Sequence, residues 1–195
     1  MTRISDAFMH SLVAIFVAMI GVLASQISLA DDAADQAALL QALGKSKLTL
    51  AEGLKLSTKD AEVPISAKFE FDDHQQLSLS VYTAGTGLAA DAEHNVLKEL
   101  SGSPEKTPWV PEVEVFKDPE HVARASEQLT LTALAKHSLF AITSQAKKDH
   151  AGTVFSIAPA LHGKRPVFIV LVADKGKVTE YAYDAMTGKA VASKQ

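Results

Sequence analysis

Cysteine is absent from this chain of 195 residues. Its absence excludes disulfide bonds, thiolate metal sites, cysteine nucleophiles and covalent c-type haem attachment. The chain must therefore be stabilised by its hydrophobic core. A hydrophobic content of 47% suits one compact domain or two very small ones.

A basic excess and the common catalytic motifs are also missing. The 19 Lys and Arg residues against 23 Asp and Glu residues give a net charge of −4, so charge gives no reason to expect a nucleic-acid partner. Neither G-x-S-x-G nor H-E-x-x-H occurs. Gly85 and Gly87 lack the third glycine of a dinucleotide fingerprint. The sequence therefore predicts no catalytic residue, no cofactor and no cofactor-binding residue.

The N-terminus has the order of features found in a secretory signal peptide. Arg3 precedes an apolar run from Leu12 to Ala24, and the small residues Ser28 and Ala30 follow. As a helix the run would rise about 20 Å, less than the hydrocarbon core of about 30 Å. We therefore predict a signal peptide over residues 1–30, cleavage after Ala30, and a periplasmic or secreted mature chain without a membrane span. Retention of the leader as an anchor is the alternative.

The first half of the mature chain shows a short helix followed by two strands. Thr49 and Glu52 have the spacing of a capping box and predict the start of the helix. Apolar and polar residues alternate over 65–71 and over 77–81. Strict alternation predicts two antiparallel strands with one buried and one solvated face.

Three further elements are predicted before the C-terminal third. The apolar spacing over 91–100 predicts a helix, and the proline within 109–116 confines a strand there to an edge or a strand start. Asp118, followed by proline, predicts the start of the longest helix. Glu112 and Glu114 lie two residues apart on one strand face and are interpreted as solvated carboxylates.

Residues 138–191 show one more helix and a run of strands. Ser138 is predicted to cap a helix that ends near Lys148. Three strand patterns follow, of which the middle one is apolar throughout and so buried on both faces; they lie over 154–158, 167–173 and 178–183. The stretch closes on Asp184-Ala185-Met186-Thr187-Gly188. The predicted fold class is α+β, with helices packed on an antiparallel β-sheet.

This C-terminal order resembles the PepSY family, a small domain of a helix packed on an antiparallel sheet. The matching residues are Ser138-Leu139, Ala146, Gly163, Val167-Phe168, Tyr181 through Asp184-Ala185, Thr187-Gly188 and Val191. Ile142 departs from the family, which commonly has Ala there. Residues 48–116 look like a diverged first copy, with 109–116 as its candidate third strand. We therefore predict two PepSY-like helix-strand-strand units, over residues 31–117 and 118–195.

The resemblance implies binding or modulation and not a reaction. PepSY-like domains occur in secreted peptidase propeptides, where they are thought to restrain the protease, and in periplasmic and membrane-attached proteins with proposed sensing or binding roles. They carry no known catalytic machinery. We therefore expect a non-catalytic exported protein that binds an unknown periplasmic protein, peptide or small ligand, for example as a protease modulator or a sensor accessory.

Tyr181 and Tyr183 share one face of the last predicted strand and form the candidate interaction face. An exposed strand edge is the other predicted route to binding. Packing of both rings under the helix is the alternative. Two other functions stay open: a small secreted hydrolase, and a periplasmic metal-binding protein that uses His137, His150 or His162. The spacing of these histidines fits no short chelating motif, so no metal ligand is predicted.

Overall fold

A computed structural model describes residues 29–58, 62–91 and 93–191. The predicted signal peptide lies outside these residues except for its last two positions, and the predicted cleavage point after Ala30 falls in the first turn of helix α1 (Leu29–Leu43). None of the helices within the described ranges is both long and apolar enough to cross a membrane.

The elements follow the order helix, helix, four strands, helix, helix, four strands. The other helices are α2 (Leu50–Leu56), α3 (Pro119–Leu134) and α4 (Leu139–Asp149). The strands are β1 (Val63–Phe71), β2 (Leu77–Ala84), β3 (Leu97–Gly102), β4 (Glu112–Val115), β5 (Thr153–His162), β6 (Arg165–Asp174), β7 (Lys177–Asp184) and β8 (Ala190–Val191).

Local side-chain hydrogen bonds start three of the four helices. Thr49 and Glu52 form a complete capping box at α2. Asp118 caps α3 through the backbone N–H of His121, and Ser138 caps α4. All three caps are confirmed where the sequence predicts them.

All strands belong to one eight-stranded sheet in the order β4-β3-β2-β1-β5-β6-β7-β8, and every neighbouring pair is antiparallel. With four helices on this sheet, the predicted α+β class is confirmed. The two halves meet edge to edge at β1 and β5, so they share a single sheet.

The two halves repeat one pattern of pairing. The first strand of each half carries a bulge followed by a serine, Ser66 in β1 and Ser156 in β5. The residues after these serines, Ala67 and Ile157, pair with each other. Ala67 and Ile157 hold equivalent positions in the two halves. Equivalent residues of two related units can pair with each other only on the two-fold axis that relates them. The halves are therefore related by a pseudo-two-fold axis between β1 and β5. Pairing outward from this axis runs Ala67–Val81–Leu100 in one half and Ile157–Val170–Tyr181 in the other.

Helices cover both faces of the sheet. Helices α1, α2 and α4 pack on one face, which we call the three-helix face, over a core that takes residues from both halves. Helix α3 packs on the opposite face, the α3 face, against a smaller core that includes Ile65, Tyr82 and Leu97. Although the predicted division at 117/118 places α3 in the second unit, this smaller core is built with strands of the first half.

The bulge in β1 divides its apolar residues between the two faces. Ala67 and Phe69 belong to the core of the three-helix face, whereas Ile65 belongs to the core of the α3 face. The predicted alternation put all of them on one face. That assignment is wrong at Ile65, because the extra residue of a bulge interrupts the period of two.

The solvated face predicted for β2 is buried. Ser78 and Ser80 are only 5% and 2% exposed, and every residue of β2 is buried. Ser78 Oγ donates to the Gly102 carbonyl at 3.5 Å. An interior strand covered on both faces can keep small hydroxyls only where they find partners, and β3 supplies one here.

The helix predicted over 91–100 is wrong, because Leu97–Gly102 is strand β3. Leu97 and Leu100 lie three apart, which is a helical spacing, yet they point to opposite faces of the sheet. Both are buried because helices cover both faces here. Strand β3, and not 109–116, is therefore the third strand of the first half, and β4 is the fourth.

Candidate functional site

The turn over residues 184–188 is held by the side chain of Asp184. Its Oδ1 accepts hydrogen bonds from the backbone N–H groups of Met186 at 2.9 Å and Thr187 at 2.8 Å, and from Thr187 Oγ1 at 3.1 Å. The Thr187 N–H, first among these donors, lowers the pKa of the Asp184 carboxyl. Gly188 ends the turn with φ +68°, in the left-handed region that favours glycine.

The same turn joins three segments of the second half. The Ala185 N–H donates to the Pro166 carbonyl at 3.0 Å, at the start of β6. The Ala185 carbonyl accepts from the N–H groups of Lys136 at 3.0 Å and His137 at 3.3 Å, in the linker between α3 and α4. The N–H and C=O groups of Ala185 therefore both form hydrogen bonds within the protein. The Asp184–Gly188 motif thus connects segments of the fold and has a structural role.

Tyr183, one of the two tyrosines of the candidate interaction face, lies in the core beneath α4. Its side chain is 0% exposed, and its hydroxyl donates to Asp149 Oδ2 at 3.2 Å. Burial raises the pKa of this hydroxyl well above its ordinary value, and the nearby Asp149 carboxylate adds to the shift. Tyr183 can meet a partner only if α4 moves.

Tyr181, the second tyrosine, is half-buried and covered on one side of its ring. The imidazole of His150 stacks on it with centroids 3.4 Å apart and planes 12° apart. His150 Nε2 is buried without a hydrogen-bond partner among the described residues. Packing beneath the helix, the alternative to an interaction face, thus describes Tyr183, whereas Tyr181 is only half-buried and keeps part of its surface.

The three histidines considered as metal ligands lie on different elements. His137 is in the linker before α4, His150 follows α4, and His162 is exposed at the end of β5. Within residues 29–58, 62–91 and 93–191, no group of three or more His, Asp or Glu side chains is placed to hold a metal ion.

Strand β4 forms one edge of the sheet and is exposed along its whole length. Val113 and Val115 are 59% and 45% exposed, and Val110 just before the strand is 76% exposed. A shallow groove of about 560 Å³ runs beside the strand. It is lined by Val113, Glu114, Val115, Lys117 and Asp118. Exposed valines beside an unpaired edge are unusual on a protein surface and favour a contact with another chain.

The hydrogen-bonding pattern shows which β4 groups are free. The Phe116 N–H donates to the Leu97 carbonyl at 3.0 Å, so that residue pair is hydrogen-bonded. Because such pairs alternate along an antiparallel ladder, Glu114 and Glu112 also face β3. The backbone N–H and C=O groups of Val113 and Val115 therefore point outward, away from the sheet.

The two sides of β4 differ in character. Val113 pairs with Leu100 and so stands on the three-helix face. Glu114 pairs with Glu99, which puts its carboxylate on the α3 face. Burial raises the pKa of Glu99, although Ser80 donates a hydrogen bond to it, and Glu70 and Glu114 add repulsion. The strand therefore offers an apolar row on one side and an acidic row on the other.

The strand and its proline were predictable from the sequence, but which strand presents a free edge along its whole length was not. Glu112 and Glu114 were interpreted as solvated carboxylates, and both are exposed. The one signal in the sequence was the proline, which is tolerated at an edge.

Comparison with known proteins assigns no family to the chain. No protein-family model matches it, and no curated protein matches it. A solved structure of a predicted lipoprotein from Clostridium difficile 630 is 10% identical over 68% of this chain and 81% of that chain, with a TM-score of 0.36. A likeness of this size carries no argument about fold or function.

Proposed function

We propose that this chain is an exported, non-catalytic, PepSY-like protein that binds an extended segment of a partner protein or peptide along strand β4. Export is supported by the signal-peptide pattern over residues 1–30. The PepSY-like organisation is supported by the residues matched over 138–191 and by the repeated pairing of the two halves.

The observation that carries the proposal is the free edge of β4. The outward N–H and C=O groups of Val113 and Val115 are the groups that a further strand uses in strand addition. In that mode the backbone supplies affinity, and alternate side chains supply specificity.

The chemistry of the edge selects the partner. Side chains beside Val113 would rest on an apolar row, and those beside Glu112 and Glu114 would meet carboxylates. We therefore assign the partner segment an alternation of apolar and basic residues. A second copy paired through its own β4 is disfavoured, because the glutamates of two antiparallel copies would face each other.

The first experiment measures binding of two short, end-blocked peptides to the full mature chain by isothermal titration calorimetry. One peptide alternates Val and Lys, and the other alternates Val and Glu. We expect the Lys peptide to bind at least tenfold more tightly, and the double variant Glu112→Lys, Glu114→Lys to reverse that preference. Equal affinity for the two peptides would contradict the proposal.

The second experiment separates strand addition from simple charge attraction. Val113→Pro removes an outward N–H without removing a β3 ladder bond, so the fold should survive while Lys-peptide affinity falls at least tenfold. Val113→Thr keeps the N–H and the β-branched shape and serves as the matched control. Unchanged binding by a folded Val113→Pro variant would exclude strand addition here.

A further inference from the structure

A cleft of about 430 Å³ opens on the three-helix face, away from β4. It lies between the turn that joins α1 to α2, the start of α2, the middle of α4 and the start of β5. The cleft thus sits where the helix of one half meets the helix of the other. Its size falls in the range of small-molecule sites.

The walls of the cleft are mostly apolar. Leu43, Leu50, Phe69 and Val154 line it and belong to the core of the three-helix face. An apolar wall of this kind favours a ligand with a short hydrocarbon or aromatic part.

The charged side chains that line the cleft within the described part of the chain are all cationic. They are Lys47, Lys147 and Lys148, and the other polar lining residues are serines and threonines. Lys147 Nζ donates to the Gly152 carbonyl at 2.7 Å, while Lys47 and Lys148 have no ion pair with any residue that the structure describes. Three lysines thus line one cleft although the whole chain carries a net charge of −4.

Glu52, in the first turn of α2, is already engaged. Glu52 Oε2 accepts from the Thr49 N–H at 2.7 Å and from Thr49 Oγ1 at 2.8 Å, in the capping box. The first of these bonds lowers the pKa of Glu52. Glu52 is thus committed to the helix start, and it is not among the residues that line the cleft.

Thr143, on α4, is the independent sign of a missing ligand. Thr143 lines the cleft and is 2% exposed, and its Oγ1 has no hydrogen-bond partner among the residues that the structure describes. A helical threonine or serine can return its hydroxyl to the carbonyl four residues back, as Ser126 and Thr130 do in α3. An unpaired buried hydroxyl costs about 1–3 kcal/mol, and a ligand that supplied an acceptor to Thr143 would recover this cost.

We propose that this cleft binds a small organic anion with a short apolar chain, such as a medium-chain carboxylate. The lysines attract and pair the carboxylate head group, and the apolar walls cover the chain. Thr143 Oγ1 is covered in the ligand-free structure, so a small side-chain movement on binding brings it within hydrogen-bond reach of the head group. This site is separate from β4, so it does not depend on the proposed strand addition.

The test titrates octanoate into the full mature chain, with octylammonium and octanol as probes that share its tail and differ in head group. We expect octanoate to bind at least tenfold more tightly than either. The double variant Lys47→Gln, Lys148→Gln should weaken octanoate binding at least tenfold. Its matched control, Lys106→Gln, Lys164→Gln, removes two exposed lysines outside the cleft and should bind as the unmodified chain does. Equal binding of the three probes, or an equal loss in both double variants, would overturn the proposal.

A second pair of variants tests the threonine. Thr132, on α3, is also buried with an unpaired Oγ1, but it does not line the cleft. Thr143→Val and Thr132→Val should both raise the stability of the ligand-free chain, because each removes an unpaired buried hydroxyl. Only Thr143→Val should also weaken octanoate binding. If octanoate affinity is unchanged in Thr143→Val, or falls as much in Thr132→Val, the assigned role of Thr143 is wrong.

Discussion

In the 184–188 turn, Gly188 is the position where the backbone conformation and a close neighbour both favour glycine. It has φ +68°, and a Cβ added to it would lie 3.0 Å from the His137 ring. We expect Gly188→Ala to lower the free energy of unfolding by about 1–3 kcal/mol, from backbone strain and this contact together. Urea denaturation of the mature chain measures this change in the free energy of unfolding.

Gly163 provides the matched control for this substitution. It has φ +65° and no atom within 4 Å of an added Cβ, so Gly163→Ala carries the backbone strain without the contact. We expect Gly188→Ala to cost more than Gly163→Ala, and His137→Ala to remove the excess. Equal losses at the two glycines would show that the His137 contact has no energetic weight.

At the residue scale the sequence predicts caps well and side-chain surroundings poorly. Thr49, Asp118 and Ser138 cap helices through backbone groups three residues away, so the signal is local. Tyr181 and Tyr183 share a strand face by period alone. That Tyr183 is buried while Tyr181 is not depends on where α4 lies, which no local pattern contains.

At the scale of elements, β3 shows what a half-buried carboxylate does in an interior strand. The folded-state pKa of Glu99 is raised by burial, so its contribution to stability is complete below the unfolded pKa of about 4.3 and is lost as the pH rises through the folded value. We therefore expect Glu99→Gln to stabilise the chain at pH 7 and to have little effect near pH 4. Thermal unfolding at the two pH values measures this.

The control for Glu99 is an exposed glutamate elsewhere on the fold. Glu127, on α3, is exposed, so Glu127→Gln should change the unfolding temperature little at either pH. A stabilisation by Glu99→Gln that is equally large at pH 4 and pH 7 would show that the buried charge is not its cause.

The elements that sequence reasoning missed are those with two buried faces. Leu97 and Leu100 have a helical spacing, and Ser78 and Ser80 have the polarity of a wet face. The predictions from both patterns hold only when one face of the element is exposed to water. Helices cover both faces of this sheet, so hydrophobic periodicity predicted a helix at β3 and a solvated face at β2, and both predictions are wrong.

At the scale of the whole molecule, the two halves share few backbone pairs but a large part of their hydrophobic core. Only two residue pairs align between β1 and β5, yet the core of the three-helix face draws on both halves. We therefore expect one cooperative unfolding transition. Fluorescence of Trp109, in the first half, should follow the same urea curve as far-UV circular dichroism of the whole sheet.

Ile157→Ala gives the sharper form of this prediction. Ile157 is 0% exposed and pairs with Ala67 on the pseudo-two-fold, so its truncation should cost about 2–5 kcal/mol. We expect both probes to shift together, whereas Val110→Ala at a 76% exposed position should shift neither. A Trp109 transition that stays in place while circular dichroism shifts would mean that the halves fold independently.

The sequence by itself determined the α+β class, the starts of α2, α3 and α4, and the restriction of the strand after Pro111 to an edge or a strand start. Each of these rests on neighbours within a few residues, where period, capping and proline chemistry act. Only the tertiary structure decided that the halves share one sheet, that β3 is a strand, and that Tyr183 is buried. It alone brought Lys47, Lys148 and Thr143 to one cleft, and left the outer edge of β4 unpaired. These features depend on which elements meet across the chain, and contacts between distant residues leave no local pattern in a single sequence.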